Sequence, residues 1–452
     1  MTKATTKRSY EIDMCNGPLL GKILLFSLPL MLSGILQLLF NAADVIVVGQ
    51  FAGTTALAAV GSTGSLTNLL INVFVGLSVG SNVLVARFYG AKQYEELSRT
   101  VHTAITISLI FGVILAIFGN LAARPLLTLM GTPDDVLDQA ALYMKIYFAG
   151  MPIIMLYNFG SSILRAKGDT KRPLYFLLIA GIVNVILNLV FVIVFHMDVA
   201  GVALATILSQ CISAGLIVAS LVKDDGPCRL DLKKLRIHKA EILAMTRIGL
   251  PAGFQGAVFS ISNVLIQSSI NSFGSTVMAG STAASNIEGF VYTAMNTFHH
   301  TAVNFTSQNL GAKKYDRINR SMLLCVLLVI AVGIVAGGGV YLFGDILLRI
   351  YNNDPQVIHY GMIRLSYVCL PYFLCGLMDT MVGGIRGLGV SVLPMIVSLV
   401  GACGLRIVWI YTIFQWNRSL DVLFLSYPIT WAITTSVHVI CFFIVRKRVC
   451  KN

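Results

Sequence analysis

The stretch LPLMLSGILQLLFNAADVIVVGQFAG, residues 28–53, is apolar along most of its length and contains one carboxylate, Asp44. At about 1.5 Å per residue, roughly 20 apolar residues cross a hydrocarbon layer ~30 Å thick. The segment reaches that length from about Leu24 and reads as a transmembrane helix. An ionised side chain near the bilayer centre costs about 2.5–3.5 kcal/mol even on the lenient insertion scale, so Asp44 is expected to have a partner or a task. Gln37, Asn41 and Asp44 fall at i, i+4 and i+7 and share one helical face. Such a stripe can bind a ligand, or it can hold this helix to a neighbour by interhelical hydrogen bonds.

Composition fixes the class. The 452 residues are 56% hydrophobic and 12% charged, with a mean hydropathy of +0.80. Soluble domains carry about 25% charged residues. The chain is therefore read as an all-α polytopic membrane protein. Twelve apolar segments are centred near residues 36, 70, 110, 150, 184, 211, 257, 291, 331, 370, 402 and 433. Residues 1–21 form a polar head with Lys3, Lys7 and Arg8, too mixed in charge for a secretory signal.

The net charge of +13 could suggest nucleic acid, but the cations alternate from break to break. Lys92 and Arg99, the group Arg165, Lys167, Lys171 and Arg172, the linker from Lys223 to Lys239, Lys313 to Arg320, and Arg386 make one set. The other set holds chiefly Arg124, Arg349 and Arg418, with Lys145 and Arg364 near the helix starts that follow. Positive loops stay in the cytoplasm, so both termini are expected inside and a nucleic-acid partner is not. Nine scattered cysteines without CxxC spacing read as small buried residues.

An internal repeat organises the rest. Pro29 and Pro251 are 222 residues apart; Gly90 and Gly311 (GAKQYEEL, GAKKYDRI), Arg165 and Arg386, and Pro173 and Pro394 are each 221 apart. Two six-helix halves inserted the same way relate by a pseudo-two-fold along the membrane normal, an arrangement used for alternating access. The expected layout is a tail at 1–21, an N-lobe at 22–222, a linker at 223–240, a C-lobe at 241–446 and a tail at 447–452. Prolines 29, 152, 251 and 371 mark expected bends. The repeat is chemically broken: Asn263 answers Asn41, but Ile266 stands opposite Asp44, and the second half carries Glu288 and Asp379 instead.

With the helix-1 acid after LPL…NAAD, the paired GAK-[QK]-Y helix ends, the R-x-x-G loops and the NIEGF run, the chain resembles the multidrug and toxic compound extrusion (MATE) family of cation-coupled efflux antiporters. The resemblance extends from Gly21 to about Arg446. It implies a cation site in the N-lobe at Asp44, Asn184 and Thr206, with Asn188 where described members have a second acid. Asn41 is grouped with that site. One carboxylate with amide and hydroxyl oxygens can hold Na⁺, or Asp44 can titrate.

Glu288 and Asp379 are candidates for a second titratable site or a counter-charge for cationic cargo, with Gln37, Asn263, Gln267 and Arg406 as further cavity residues. Alternatively the acids pair structurally with Arg406 or with His299 and His300. His102, His196, His238, His359 and His438 are read as incidental. Met31, Tyr157, Met295 and Tyr372 lie at plausible depth to line a cavity.

Enzyme chemistry finds little support. HExxH and GxxxxGK[ST] are missing, and the one GxSxG match, Gly76 to Gly80, lies inside an apolar span where no nucleophile elbow around Ser78 can form. The expectation is a monomeric secondary exporter of small organic, chiefly cationic, compounds in a bacterial inner (plasma) membrane, driven by Na⁺ or H⁺ and needing no other cofactor. Membrane lipid is its expected surroundings. A lipid-linked oligosaccharide flippase of the same superfamily is the alternative, disfavoured by three buried acids against one buried arginine. A membrane-embedded enzyme or scaffold is the third reading.

Overall fold

The computed structural model describes residues 10–450, so Lys3, Lys7, Arg8 and Lys451 lie outside the described residues. Every regular element among them is helical. The chain separates into two compact units, Met1–Thr67, Leu84–Leu243 and Gly311–Lys313 in the first, Asn68–Val83, Ala244–Leu310 and Lys314–Asn452 in the second.

The first unit holds α1 (Leu19–Val47), α3 (Tyr94–Leu129), α4 (Asp134–Ala149), α5 (Met151–Ala166), α6 (Lys171–Leu189) and α7 (Asp198–Val222), while α2 (Thr54–Ala91) contributes to both units. The second holds α8 (Lys239–Asn271) from Ala244 onward, α9 (Ser275–Gly311) as far as Leu310, α10 (Tyr315–Leu342), α11 (Gly344–Arg349), α12 (Pro355–Val368), α13 (Phe373–Gly387), α14 (Val392–Ser398), α15 (Leu405–Tyr411), α16 (Ile413–Trp416) and α17 (Leu420–Val449). Among the described residues nine helices are long and apolar enough to cross a membrane, or up to eleven if each of two bent pairs counts as one span. The apolar segment centred near 291 became α9, 37 residues long. It falls outside that set because its buried face is polar, with Ser281, Glu288, Asn304, Ser307 and Gln308 turned inward.

The repeat reappears in the backbone. Lys92 (φ 59°) and Lys313 (φ 56°), 221 residues apart, are both left-handed, as are Gly168 (φ 99°) and Gly389 (φ 88°). Non-glycine residues rarely adopt that region, so its recurrence at matched positions reflects one inherited turn. Two of the four expected prolines sit at real bends: α4 and α5 meet at 49° beside Pro152, and α12 and α13 at 45° beside Pro371. Pro29 and Pro251 lie inside continuous helices, where Ser33 Oγ bonds the carbonyl of Pro29 at 2.8 Å.

In lipid, helices associate through close packing and polar contacts rather than by escaping water. The second unit shows this at residues 76–80, the stretch that matched GxSxG. A Cβ at Gly76 would stand 2.2 Å from the backbone nitrogen of Gly253, and one at Gly80 would stand 2.2 Å from the carbonyl of Met245. Two small-xxx-small faces, Gly76/Gly80 and Gly249/Gly253, therefore meet backbone to backbone. Ser78 is buried and donates to the carbonyl of Val75 at 2.7 Å, so its hydroxyl is occupied within its own helix.

One loop cation assigned to topology has another role. Lys167 is 1% exposed and its Nζ lies 3.0 Å from both Glu11 Oε1 and Asp224 Oδ1, while the Ile12 N–H donates to the Gly168 carbonyl at 3.2 Å. The segment before α1 is thereby fastened to the α5–α6 turn and to the chain after α7. Burial beside this network pushes the Cys228 thiol up to about 12, with Asp224 and Glu11 adding to the rise and Lys167 opposing it. A raised thiol pKa disfavours the thiolate, the form that reacts, and the side chain is fully buried. N-ethylmaleimide is expected to leave Cys228 unmodified between about pH 6.5 and 8.5 until the protein is denatured. Peptide mass spectrometry checks this, and labelling of the folded protein that climbs with pH as an ordinary thiol's does would contradict it.

Candidate functional site: a carboxylate held by two asparagines

Gly181 lets α6 approach α1, since a Cβ there would fall 1.9 Å from Cε2 of Phe40. One turn further along α1 and two turns further along α6 the contact becomes polar. Asn188 is fully buried, and its Nδ2 donates to Asp44 Oδ1 and, at 3.3 Å, to Asn184 Oδ1. Asn184 is also buried. Asp44 is half-buried, which leaves part of its carboxylate reachable.

Asn188 Oδ1 is buried and accepts no hydrogen bond among the described residues. An orphaned acceptor next to a carboxylate is unfavourable unless something positive joins it. The donor set, one carboxylate and amide oxygens, is what a hard cation or a proton takes. Thr206 donates to the Val202 carbonyl of its own helix at 2.9 Å and keeps its lone pairs. Turns of wider, π-type helix follow both partners within about one turn, Val48–Ala52 after Asp44 and Val190–Val194 after Asn188, and they touch each other. Such turns interrupt the regular ladder and collect at functional sites.

Tyr143 and Tyr147 of α4, stacked with centroids 6.1 Å apart, lie near enough to sense the charge of Asp44. Sequence reading missed them, and the only available signal was their i, i+4 spacing. Gln37 and Asn41 are exposed, with no hydrogen bond to Asp44.

The second unit gathers a different set. Glu288 is held in a two-point grip by Arg364, with Nε to Oε1 at 2.8 Å and Nη2 to Oε2 at 2.9 Å, while Arg364 Nη1 donates to Ser281 at 2.8 Å. The expected structural partners, Arg406 or the histidines, are thus corrected to Arg364, which the sequence had assigned to topology. Asp379 is hydrogen-bonded by Tyr292 and lies near Arg386. His299 donates from Nδ1 to the backbone carbonyl of Asp379 at 2.7 Å, not to its carboxylate.

Arg406 stacks over Tyr427, 4.2 Å from its centroid, and donates to Thr430 at 3.1 Å. Arg364, Arg386 and Arg406 are all buried, so the count of one buried arginine is wrong. Arg386 reaches Gln255 at 2.8 Å instead of projecting into a loop.

Tyr372 is buried against Trp431, with centroids 5.3 Å apart, and Met295 is fully buried against Gly333 and Gly376. Asn263 is exposed, and Gln267 bonds Asn271 at 2.9 Å on the surface of α8. Neither joins Glu288 or Asp379. His438 and His102, read as incidental, are buried and bonded, His438 to Ser398 at 3.0 Å and His102 to the Asp231 N–H at 3.0 Å.

Long apolar helices around this carboxylate–amide site define a multi-pass helical membrane protein. The MatE family model matches residues 29–190 and again 251–412, the two halves of the repeat, and the chain belongs to that family. It is similar to the probable multidrug resistance protein YoeA of Bacillus subtilis, 27% identical over 91% of this chain and 90% of that protein. It is also similar to the FAD transporter of Shewanella oneidensis, 24% identical over 75% of this chain and 76% of that one. A solved outward-facing structure of a multidrug resistance MATE family transporter of the MOP superfamily has the same fold. Its TM-score is 0.91 at 22% identity, covering 99% of this chain and all of that one.

Proposed function

We propose that this protein is a secondary active multidrug efflux antiporter that exports organic compounds in exchange for Na⁺ or H⁺ by alternating access. The observation that carries this reading is the pairing of Asp44 with Asn188 beside an acceptor that lacks a donor. The name of the Bacillus relative supports multidrug cargo. In the same reading α9 is the twelfth span, both termini are cytoplasmic, the lobes are residues 22–222 and 241–446, and the monomer resides in a bacterial plasma membrane. A cation held by Asp44, Asn184, Asn188 and Thr206 must bind two conformations unequally to drive exchange, since equal binding shifts nothing.

The second unit favours a second reading of the cargo. Its buried arginines number three against Glu288 and Asp379, leaving Arg406 without a carboxylate partner among the described residues. That balance suits an anionic or zwitterionic compound better than the cation expected from sequence, and it removes the charge argument against a lipid-linked oligosaccharide flippase.

Proteoliposomes loaded with ethidium, and in parallel with FAD, test the proposal under imposed Na⁺ or H⁺ gradients. Cargo leaving only when one ion runs inward supports antiport, and the dye that moves identifies the charge class. Cargo flux that ignores both gradients sinks it.

A further inference from the structure

The chain between α7 and α8 was read from sequence as a cytoplasmic linker whose cations only set topology. In the first unit it instead closes a cavity of about 400 Å³ against the start of α3, lined by Arg99, His102, Lys233, Lys234, Arg236 and His238. The geometry points to a binding site for the phosphate of an anionic phospholipid headgroup in this cavity.

The cavity is built by the backbone rather than by chance contact of mobile side chains. His102 donates from Nδ1 to the Ser98 carbonyl at 2.7 Å and accepts the Asp231 N–H on Nε2 at 3.0 Å, so both ring nitrogens are used in holding the segment. Thr103 donates to the Arg236 carbonyl at 3.3 Å and accepts the His238 N–H at 3.2 Å. These bonds hold residues 231–238 on α3 through backbone groups and do not occupy the Lys233 or Arg236 side chains.

Arg99 is partly neutralised by Glu95, and Lys234 stands 3.9 Å from Asp231 with both exposed. No carboxylate among the described residues pairs with Lys233 or Arg236. Set against Glu95 and Asp231, the four cations leave an excess of two positive charges in a small space, and an anion bound among them relieves the repulsion.

The neighbours of the cavity choose a lipid over a free anion. α7 and α8, which flank the linker, are both long and apolar enough to span, so residues 223–238 must lie at a membrane surface. Leu232, Ile237 and Leu243 are 56%, 43% and 69% exposed. Apolar side chains alternating with Lys and Arg suit the boundary between acyl chains and headgroups.

The test uses the purified full-length chain in mild detergent and measures binding of a fluorescent short-chain phosphatidylglycerol, with phosphatidylcholine and inorganic phosphate as competitors. Wild type is expected to bind phosphatidylglycerol, to be displaced poorly by the other two, and to lose roughly 10- to 30-fold in affinity in the Lys233→Gln/Arg236→Gln variant. A Lys447→Gln/Arg448→Gln variant, which removes the same charge from the exposed end of α17, is expected to bind as wild type does. Matching thermal melts of the two variants exclude a folding defect. Three results would each overturn the assignment: equal competition by phosphatidylcholine, equal loss in the α17 variant, or displacement by millimolar phosphate, which would make this a free-anion site.

Discussion

Replacing Asp44 with asparagine is expected to stop ion-coupled export, lowering the rate of ethidium efflux at equal expression by about 5- to 150-fold, the range that coupling energies of 1–3 kcal/mol produce. The substitution is conservative in shape. Asparagine still offers a carbonyl oxygen to Asn188 Nδ2, so α1 and α6 keep their contact and the fold is retained. What disappears is the formal charge, and with it, in the proposed antiport, the difference in cation or proton affinity through which a gradient would act. One charge moving through 100 mV provides about 2.3 kcal/mol, roughly a 50-fold concentration ratio at ~1.4 kcal/mol per decade; an uncoupled variant gains none of it. The assay compares wild type and Asp44→Asn in cells lacking their own pumps, with and without Na⁺ and with a protonophore. The ion whose removal silences wild type is the driver. If the variant exports as fast as wild type, coupling resides at another group and the assignment of Asp44 fails.

That residue was legible because membranes make charge expensive: one acid inside an otherwise apolar run identifies itself. Its partner was legible too, since Asn184 and Asn188 share a face at i, i+4 and the family resemblance points to them. The two-fold repeat could be counted directly from matched anchors, and the backbone repeats it in the left-handed pairs Lys92/Lys313 and Gly168/Gly389.

Less visible were features in which one residue type has two meanings. A lysine near a helix end looks like a topology signal whether it is solvated or, as with Lys167, buried between two carboxylates. Gly76 and Gly80 matched a nucleophile pattern because that motif and a close helix contact both require glycines four apart. The π-type turns beside Asp44 and Asn188 carry no composition of their own, since one extra residue in a helical turn leaves the hydrophobic pattern nearly unchanged. The polar stripe of α1 likewise predicted a shared face for Gln37, Asn41 and Asp44, but α6 covers only the end that bears Asp44.

The second large effect concerns Glu288 and Arg364, and it decides whether that acid carries cargo or holds the fold. Their side chains are 6% and 8% exposed and meet in a two-point grip. Removing one partner from such a pair leaves a buried charge uncompensated, at a cost of about 3–5 kcal/mol, whereas replacing both with apolar residues of similar volume is close to neutral. Glu288→Leu and Arg364→Leu are therefore each expected to lower the unfolding midpoint of the detergent-purified protein, by roughly 6–20 °C on the scaling for units of this size. The double variant should recover most of the loss. That pattern of two damaging singles and a near-neutral double is the signature of a structural pair. Efflux by the double variant then separates the roles: export near the wild-type rate assigns Glu288 to packing α9 against α12, while a stable double variant that no longer exports makes the pair part of the transport path. If the single variants melt as wild type does, the pair contributes neither, and Arg364 would have to be satisfied by Ser281 and the Phe424 ring, 5.8 Å away.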